Sequence, residues 1–315
     1  MHWKLAPALF LVLGGLLAAC NSNAVPPSVA TVTVGGTTNL EVGKSANLTA
    51  LLRDSAGNTL SGRTVTWTSS NPNLISVNSD GQITARHLSV SRAPATITAT
   101  SEGKIATINV TTYGLDVIGG TFVDDTTPGR VLYAGRTRFQ DPAGQGVPQD
   151  TDVTVQGPAE FNGGQPLTMR LFSSISAGNV LGGLSNTVVS GQYTATATIG
   201  GTVYTKTFTV DVTKTLSFIT NPSLTLNGTS ARLQGTADVR AKSVQGELYK
   251  VPTPFVSSTT AGINGGAFDV TVTFATLTSG TYKAGIYARD FVSNDDIFAD
   301  QVAWSFTSTS DVTVP

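Results

Sequence analysis

The chain is 315 residues long, 40% hydrophobic, 12% charged and 7% aromatic, with two His, one Cys and a formal net charge of -1. Adequate hydrophobicity with little net charge excludes a disordered chain, and the lack of a basic surplus excludes a nucleic-acid binder, which must neutralise phosphates. Two His and one Cys leave almost no material for a His/Cys metal cage or a Cys/His nucleophile, while the length points to two or three compact units.

Residues 1–4 are short and weakly basic, and the apolar run Leu5 to Leu17 is too short for a helix to cross a hydrocarbon core of about 30 Å. It reads as the apolar helix of a signal peptide over residues 1–19. The run closes on Leu17-Ala18-Ala19-Cys20, which resembles the lipobox of bacterial lipoproteins. That resemblance implies cleavage between Ala19 and Cys20 and acylation of Cys20, the single Cys of the chain, with palmitate-type chains. Two or three acyl chains anchor stably where one is marginal, at about 0.8 kcal/mol per buried methylene. The implied partner is a bacterial membrane, and the implied address is the extracytoplasmic cell envelope. Residues 20–28, with Val25-Pro26-Pro27, form a short extended stalk. Since no further Cys exists, no disulfide can support the β units beyond the stalk, and packing must stabilise each of them.

From Val29 onward the chain is rich in Thr, Val, Ser and Gly. Polar and apolar residues alternate with period two, broken by turns every 8 to 12 residues or so, and no sustained helical stripe occurs. The predicted class is all-β, a tandem of three Ig-like β-sandwiches over 29–112, 113–213 and 214–315 behind the signal helix. In the first unit strands are expected at Thr31–Val34, Ala46–Leu52, Thr64–Thr68, Ile75–Val77 and Gly81–Ala85, closed by a hairpin of Ala95–Ala99 with Ile105–Val110. Val65 and Trp67 share one face of their strand, so the Trp67 indole is expected to face the core. The opening Val42-Gly43-Lys44 with Leu48-Thr49-Ala50, then Trp67-Thr68-Ser69-Ser70-Asn71-Pro72 and Ile97-Thr98-Ala99-Thr100-Ser101, resemble the group 2 bacterial Ig-like domain of intimin- and invasin-type adhesins. The likeness covers about 80 residues. The stretch Arg86–Pro94 departs from it, being longer than the family's glycine turn.

The second unit closes on Tyr193–Ile199, a Gly200-Gly201 turn, and Val203–Val210; a diglycine between alternating runs is a strong hairpin signal because primed turns need positive φ. In the third, strands are expected near Ala231–Ala237, Val244–Tyr249, Gly265–Val272 and Gly280–Asp290. Gly-x-Tyr-x-Ala occurs at Gly191, Tyr193 and Ala195 and again at Gly280, Tyr282 and Ala284. It resembles the tyrosine corner of Ig and fibronectin sandwiches, which implies that both hydroxyls bond back to the preceding loop. With scarcely any linker at 112–113 and 213–214, the expected arrangement is a tandem rod of roughly 100 Å with small polar interfaces.

Candidate chemistry is sparse. His87 is expected as a surface loop residue without an orienting partner. Hard oxygen ligands concentrate at Asp124-Asp125 and at Asp290, Asn294, Asp295, Asp296 and Asp300. The second group is a weak calcium candidate because the D-x-D-x-D-G spacing is missing. Arg130, Arg136 and Arg138 lie on one strand face, expected to be exposed. The expected function is therefore a non-enzymatic, membrane-anchored envelope protein without cofactor, whose modules act as spacer and adhesion or assembly surface. The alternative is a glycan- or surface-layer-binding module using the loops of the third unit.

Overall fold

The computed structural model describes residues 26–89, 91–127, 129–147, 151–171, 188–250, 255–291 and 299–315. The expected signal helix and Cys20 lie outside them. The described chain is all-β apart from two short 3-10 turns, Phe161–Gly164 and Val212–Lys214.

The first stretch forms β1 (Thr31–Gly35), β2 (Asn39–Glu41), β3 (Ser45–Asn47), β4 (Thr49–Arg53), β5 (Thr59–Leu60), β6 (Thr66–Ser69), β7 (Ile75–Val77), β8 (Gln82–Ala85), β9 (Ala95–Ser101) and β10 (Lys104–Asp124). Alternation makes these strands: β9 buries Ala95, Ile97, Ala99 and Ser101 and turns its three threonines toward solvent. Turn chemistry separates them. The Asp54 carboxylate accepts the backbone N–H groups of Ala56 and Asn58, both at 2.9 Å, an Asx turn between β4 and β5. Sheets β1-β4-β5 and β3-β8-β7 enclose, with β9, a core of Leu48, Leu74, Ile75, Ile83 and Ile97. Trp67 is half-buried against this core, its ring passing so close to Gly81 that a Cβ there would lie 2.9 Å from the indole.

Next come β11 (Val131–Gln140), β12 (Thr151–Gln156), β13 (Leu167–Leu171), β14 (Gly191–Ile199) and β15 (Thr202–Val210). Gly200 and Gly201 take φ of +58° and +79° between β14 and β15, the primed turn that suits the strand twist. The sheet β13-β12-β14-β15 packs against β10 and β11 through Leu115, Val117, Tyr133, Phe139, Phe161, Tyr193 and Phe208. The last stretch holds β16 (Thr220–Asn227), β17 (Ser230–Ala237), β18 (Ser243–Tyr249), β19 (Val256–Gly262), β20 (Gly266–Thr273), β21 (Gly280–Arg289), β22 (Val302–Ser308) and β23 (Val312–Val314). There β16-β17-β20 covers a core with Leu233, Val244, Leu248, Phe274 and Ile286.

One strand joins these modules. β10 runs through residues 112–113 without a break, pairing antiparallel with β9 over Lys104–Val110, parallel with β2 over Thr111–Tyr113 and antiparallel with β11 over Gly114–Val123. Its end, Gly120–Asp124, also pairs in parallel with β22, so that β19-β18-β21-β22-β10-β9-β6 form one continuous path of strands. The small polar interface expected between the second and third units is therefore replaced by a strand pair and an apolar cluster of Ile118, Phe122, Leu132, Ala134, Phe291, Val302 and Trp304. Burying such side chains stabilises by about 1.5–3 kcal/mol each, which favours joining over hinging. Gly120 permits this contact, and Gly119 permits the packing of β15 on the opposite face of β10. A Cβ at Gly119 would lie 2.1 Å from the Phe208 ring, and one at Gly120 would lie 1.7 Å from the Val302 carbonyl oxygen.

Candidate functional site

The largest concentration of buried charge lies where the three stretches meet. The face of β10 carrying Asp116, Ile118 and Phe122 continues on β11 as Arg138, Arg136 and Leu132. Asp116 is fully buried. Its carboxylate accepts a hydrogen bond from Arg138 Nη2 at 2.9 Å and another from the Leu88 backbone N–H at 2.9 Å. His87 Nδ1 is 3.4 Å away and Lys206 Nζ 3.8 Å away. Burial alone would raise the Asp116 carboxyl, but His87, followed by Arg138 and Lys206, outweighs it and holds the group well below the usual carboxylate range.

The backbone of Arg86–Ser89 is tied into the same place. Lys206 Nζ donates to the Arg86 carbonyl, and the Ser89 N–H donates to Thr112 Oγ1 at 3.2 Å. Arg86 also reaches across to Asp300, Nη2 to Oδ1 at 2.6 Å. Above the cluster is a cleft of about 420 Å³ lined by Arg86, His87, Lys206, Phe208 and Asp300 among others. Chemically this is a lock: Asp116 does not line the cleft, its Oδ2 accepts both hydrogen bonds, and its Oδ1 faces His87 Nδ1 and Lys206 Nζ at 3.4 and 3.8 Å. Removing a charge from such an arrangement leaves its partners buried and uncompensated.

Two expectations are corrected here. His87 is 4% exposed, because Asp116 supplies the partner that the sequence did not reveal. Arg136 and Arg138 are 1% and 2% exposed, because modules cover β11 on both faces; Arg138 pairs with Asp116, and the Arg136 guanidinium lies 5.6 Å from the Phe291 ring centre. Arg130 alone of the three is exposed.

The remaining candidates are dispersed. Tyr193 is buried and its hydroxyl donates to the Val189 carbonyl at 2.7 Å; Tyr282 is buried and donates to the Thr278 carbonyl at 2.8 Å. In each case the hydroxyl is also the acceptor of the same residue's N–H at 3.3 Å. Of the calcium candidates, Asp295 and Asp296 lie outside the described residues, with Asn294. Asp290 accepts the Ala303 N–H at 2.9 Å, and burial pushes its carboxyl up; Asp300 is engaged by Arg86. Asp125 accepts the N–H and hydroxyl of Ser308 at 2.7 and 2.9 Å, and Asp124 accepts the Thr126 N–H at 2.8 Å. Among the described residues no group of three or more His, Cys, Asp or Glu side chains is placed to hold a metal.

No protein-family model matches this chain, and no curated protein does. Among solved structures it is similar to titin domains A168–A170, at 12% identity over 91% of this chain and 98% of that one, with a TM-score of 0.23. It is also similar to domains 4 and 5 of the S-layer protein SbsC, at 16% identity over 58% and 98%, TM-score 0.24. A third likeness is to the FN1–FN3 domains of chicken CNTN1, at 8% identity over 92% and 98%, TM-score 0.21.

Proposed function

We propose that this chain is a non-enzymatic component of a bacterial cell envelope, held to a membrane by acyl chains on Cys20, whose Ig-like β modules act as a stiff spacer and contact surface. The observation that carries this reading is the continuity of β10, which leaves the first module, crosses the second and pairs with β22 of the third. A spacer must resist bending where modules meet, and a strand shared between sheets, backed by the Phe122–Val302–Trp304 cluster, does so better than a flexible linker. The buried Asp116, His87, Arg138 and Lys206 group serves the same end, fixing the end of the first module against the second, while Arg86 reaches Asp300 of the third. The charges that an enzyme would direct at a substrate are here directed at one another.

The anchoring half is tested by Cys20→Ala: the variant is expected in the soluble extracytoplasmic fraction, and unchanged membrane retention would refute it. The contact half is tested by crosslinking the native protein in mild detergent and identifying its neighbours, with envelope proteins expected. A solitary, uncrosslinked protein would count against assembly.

A further inference from the structure

A second cleft, of about 360 Å³, opens on the outer face of the composite sheet near the ends of β18 and β21. Along β18, Val244 and Leu248 enter the core while Glu247 and Tyr249 take the opposite face. Across the pairing Glu247 stands opposite Gly285 and Tyr249 opposite Lys283, and Gly285 in turn stands opposite Ser308. Gly285 clears the floor: a Cβ there would lie 2.2 Å from the Phe306 ring, which therefore sits over the bare backbone. Tyr249 lines the cleft, and Phe255, outside the lining, packs against it with ring centres 5.1 Å apart and a tilt of 30°; the two are 39% and 64% exposed.

The polar lining is rich in hydroxyls, with Thr126, Ser308 and Thr309, and carries two carboxylates, Glu247 and Asp311, against one ammonium, Lys283. Glu247 is buried at its base and accepts from Ser257 Oγ at 3.0 Å; burial pushes its carboxyl up. Lys283 Nζ donates to Asp311 at 2.9 Å, so the ammonium in the cleft is already neutralised. An anionic ligand would meet Glu247 and Asp311 and be repelled, while a wholly apolar one would desolvate both carboxylates and offer them no hydrogen bond in place of water. A sugar ring fits both halves of the lining: its C–H face is apolar and packs on aromatic rings, and its hydroxyls donate to carboxylates and accept from an ammonium.

We propose that this cleft binds a neutral pyranose oligosaccharide, with sugar rings packed on Tyr249 and Phe255 and hydroxyls donating to Glu247. The site is a sheet face rather than the loops around Asp290 and Asp300, and it is independent of the spacer role. The test is calorimetric titration of the full chain with maltohexaose, cellohexaose and chitohexaose. Saturable binding of at least one is expected, weakened about tenfold or more by Phe255→Ala and by Tyr249→Ala, as for other exposed aromatic anchors. Because the ligand is uncharged, affinity is expected to hold as salt rises. Both variants alter exposed side chains, so an unchanged melting temperature separates lost binding from lost fold. No saturable heat with any of the three sugars would overturn the proposal. So would binding that survives both substitutions, or binding of a lysine hexapeptide in place of sugar.

Discussion

The two halves of β10 have the same backbone and opposite surroundings. In the outer half, Lys104–Val110, polar and apolar residues alternate against β9, and even Ile105 is 65% exposed. In the inner half, Leu115–Val123, every residue is buried, Ile118 to 1%. The difference is neighbours. The outer half has one covered face, whereas the inner half lies between the β12–β15 sheet on one side and the Phe291–Trp304 cluster on the other. A polar residue on the outer half meets water. On the inner half a charged one is held by a buried counter-charge, as Asp116 is by Arg138.

Substitutions in the two halves break this contrast in order of size. Asp116→Ala is expected to cost most, about 3–5 kcal/mol in denaturant unfolding, since it leaves Arg138 and Lys206 buried without their counter-charge. Gly120→Ala comes next, at about 3 kcal/mol, the upper end for overpacking, because its Cβ has no room beside the Val302 carbonyl. Tyr193→Phe and Tyr282→Phe each remove a hydroxyl that donates to and accepts from the preceding loop and are expected to cost about 1–2 kcal/mol, additively, since they lie in separate cores. At the other extreme Thr107→Ala, exposed on the outer half, is expected to change stability by less than about 0.5 kcal/mol. A cost for Thr107→Ala equal to that of Gly120→Ala would erase the distinction between the halves.

Acid sharpens the same comparison. The folded Asp116 carboxyl lies below its unfolded value of about 3.9, so its contribution is present above that pH and is lost as pH falls toward the folded value. Glu247 and Asp290, both raised by burial, act in the opposite sense. Unfolding free energy is expected to drop below about pH 4 in the wild type and to drop less steeply in Asp116→Asn. Parallel pH profiles for the two proteins would show that the junction carries no such linkage.

The sequence made the outer half legible and hid the inner one, for the same physical reason. Alternation reports a strand with one wet face, and β7, β9 and the β14–β15 hairpin fall where alternation and turn residues place them. It misreports a strand covered on both faces, so the Arg136/Arg138 side of β11 reads as solvent surface. The available signal was local: Asp116 is a lone acid in Gly114-Leu115-Asp116-Val117-Ile118-Gly119-Gly120, where an exposed strand would alternate and adjacent glycines mark a close approach. Nothing near His87 or Lys206 in the chain reveals Asp116, because the contacts join residues far apart in sequence. The β22 pairing was hidden likewise, since a parallel partner 182 positions away leaves no mark on local pattern.

Native-state hydrogen exchange addresses the shared strand most directly. If β10 and β22 bind the modules into one body, the amides of Gly120–Asp124 and Val302–Phe306 should exchange with one free energy, close to that for global unfolding. Amides of β22 that exchange at a much lower free energy, while Leu115–Ile118 remain protected, would mean that the modules part at this seam and that the spacer is hinged.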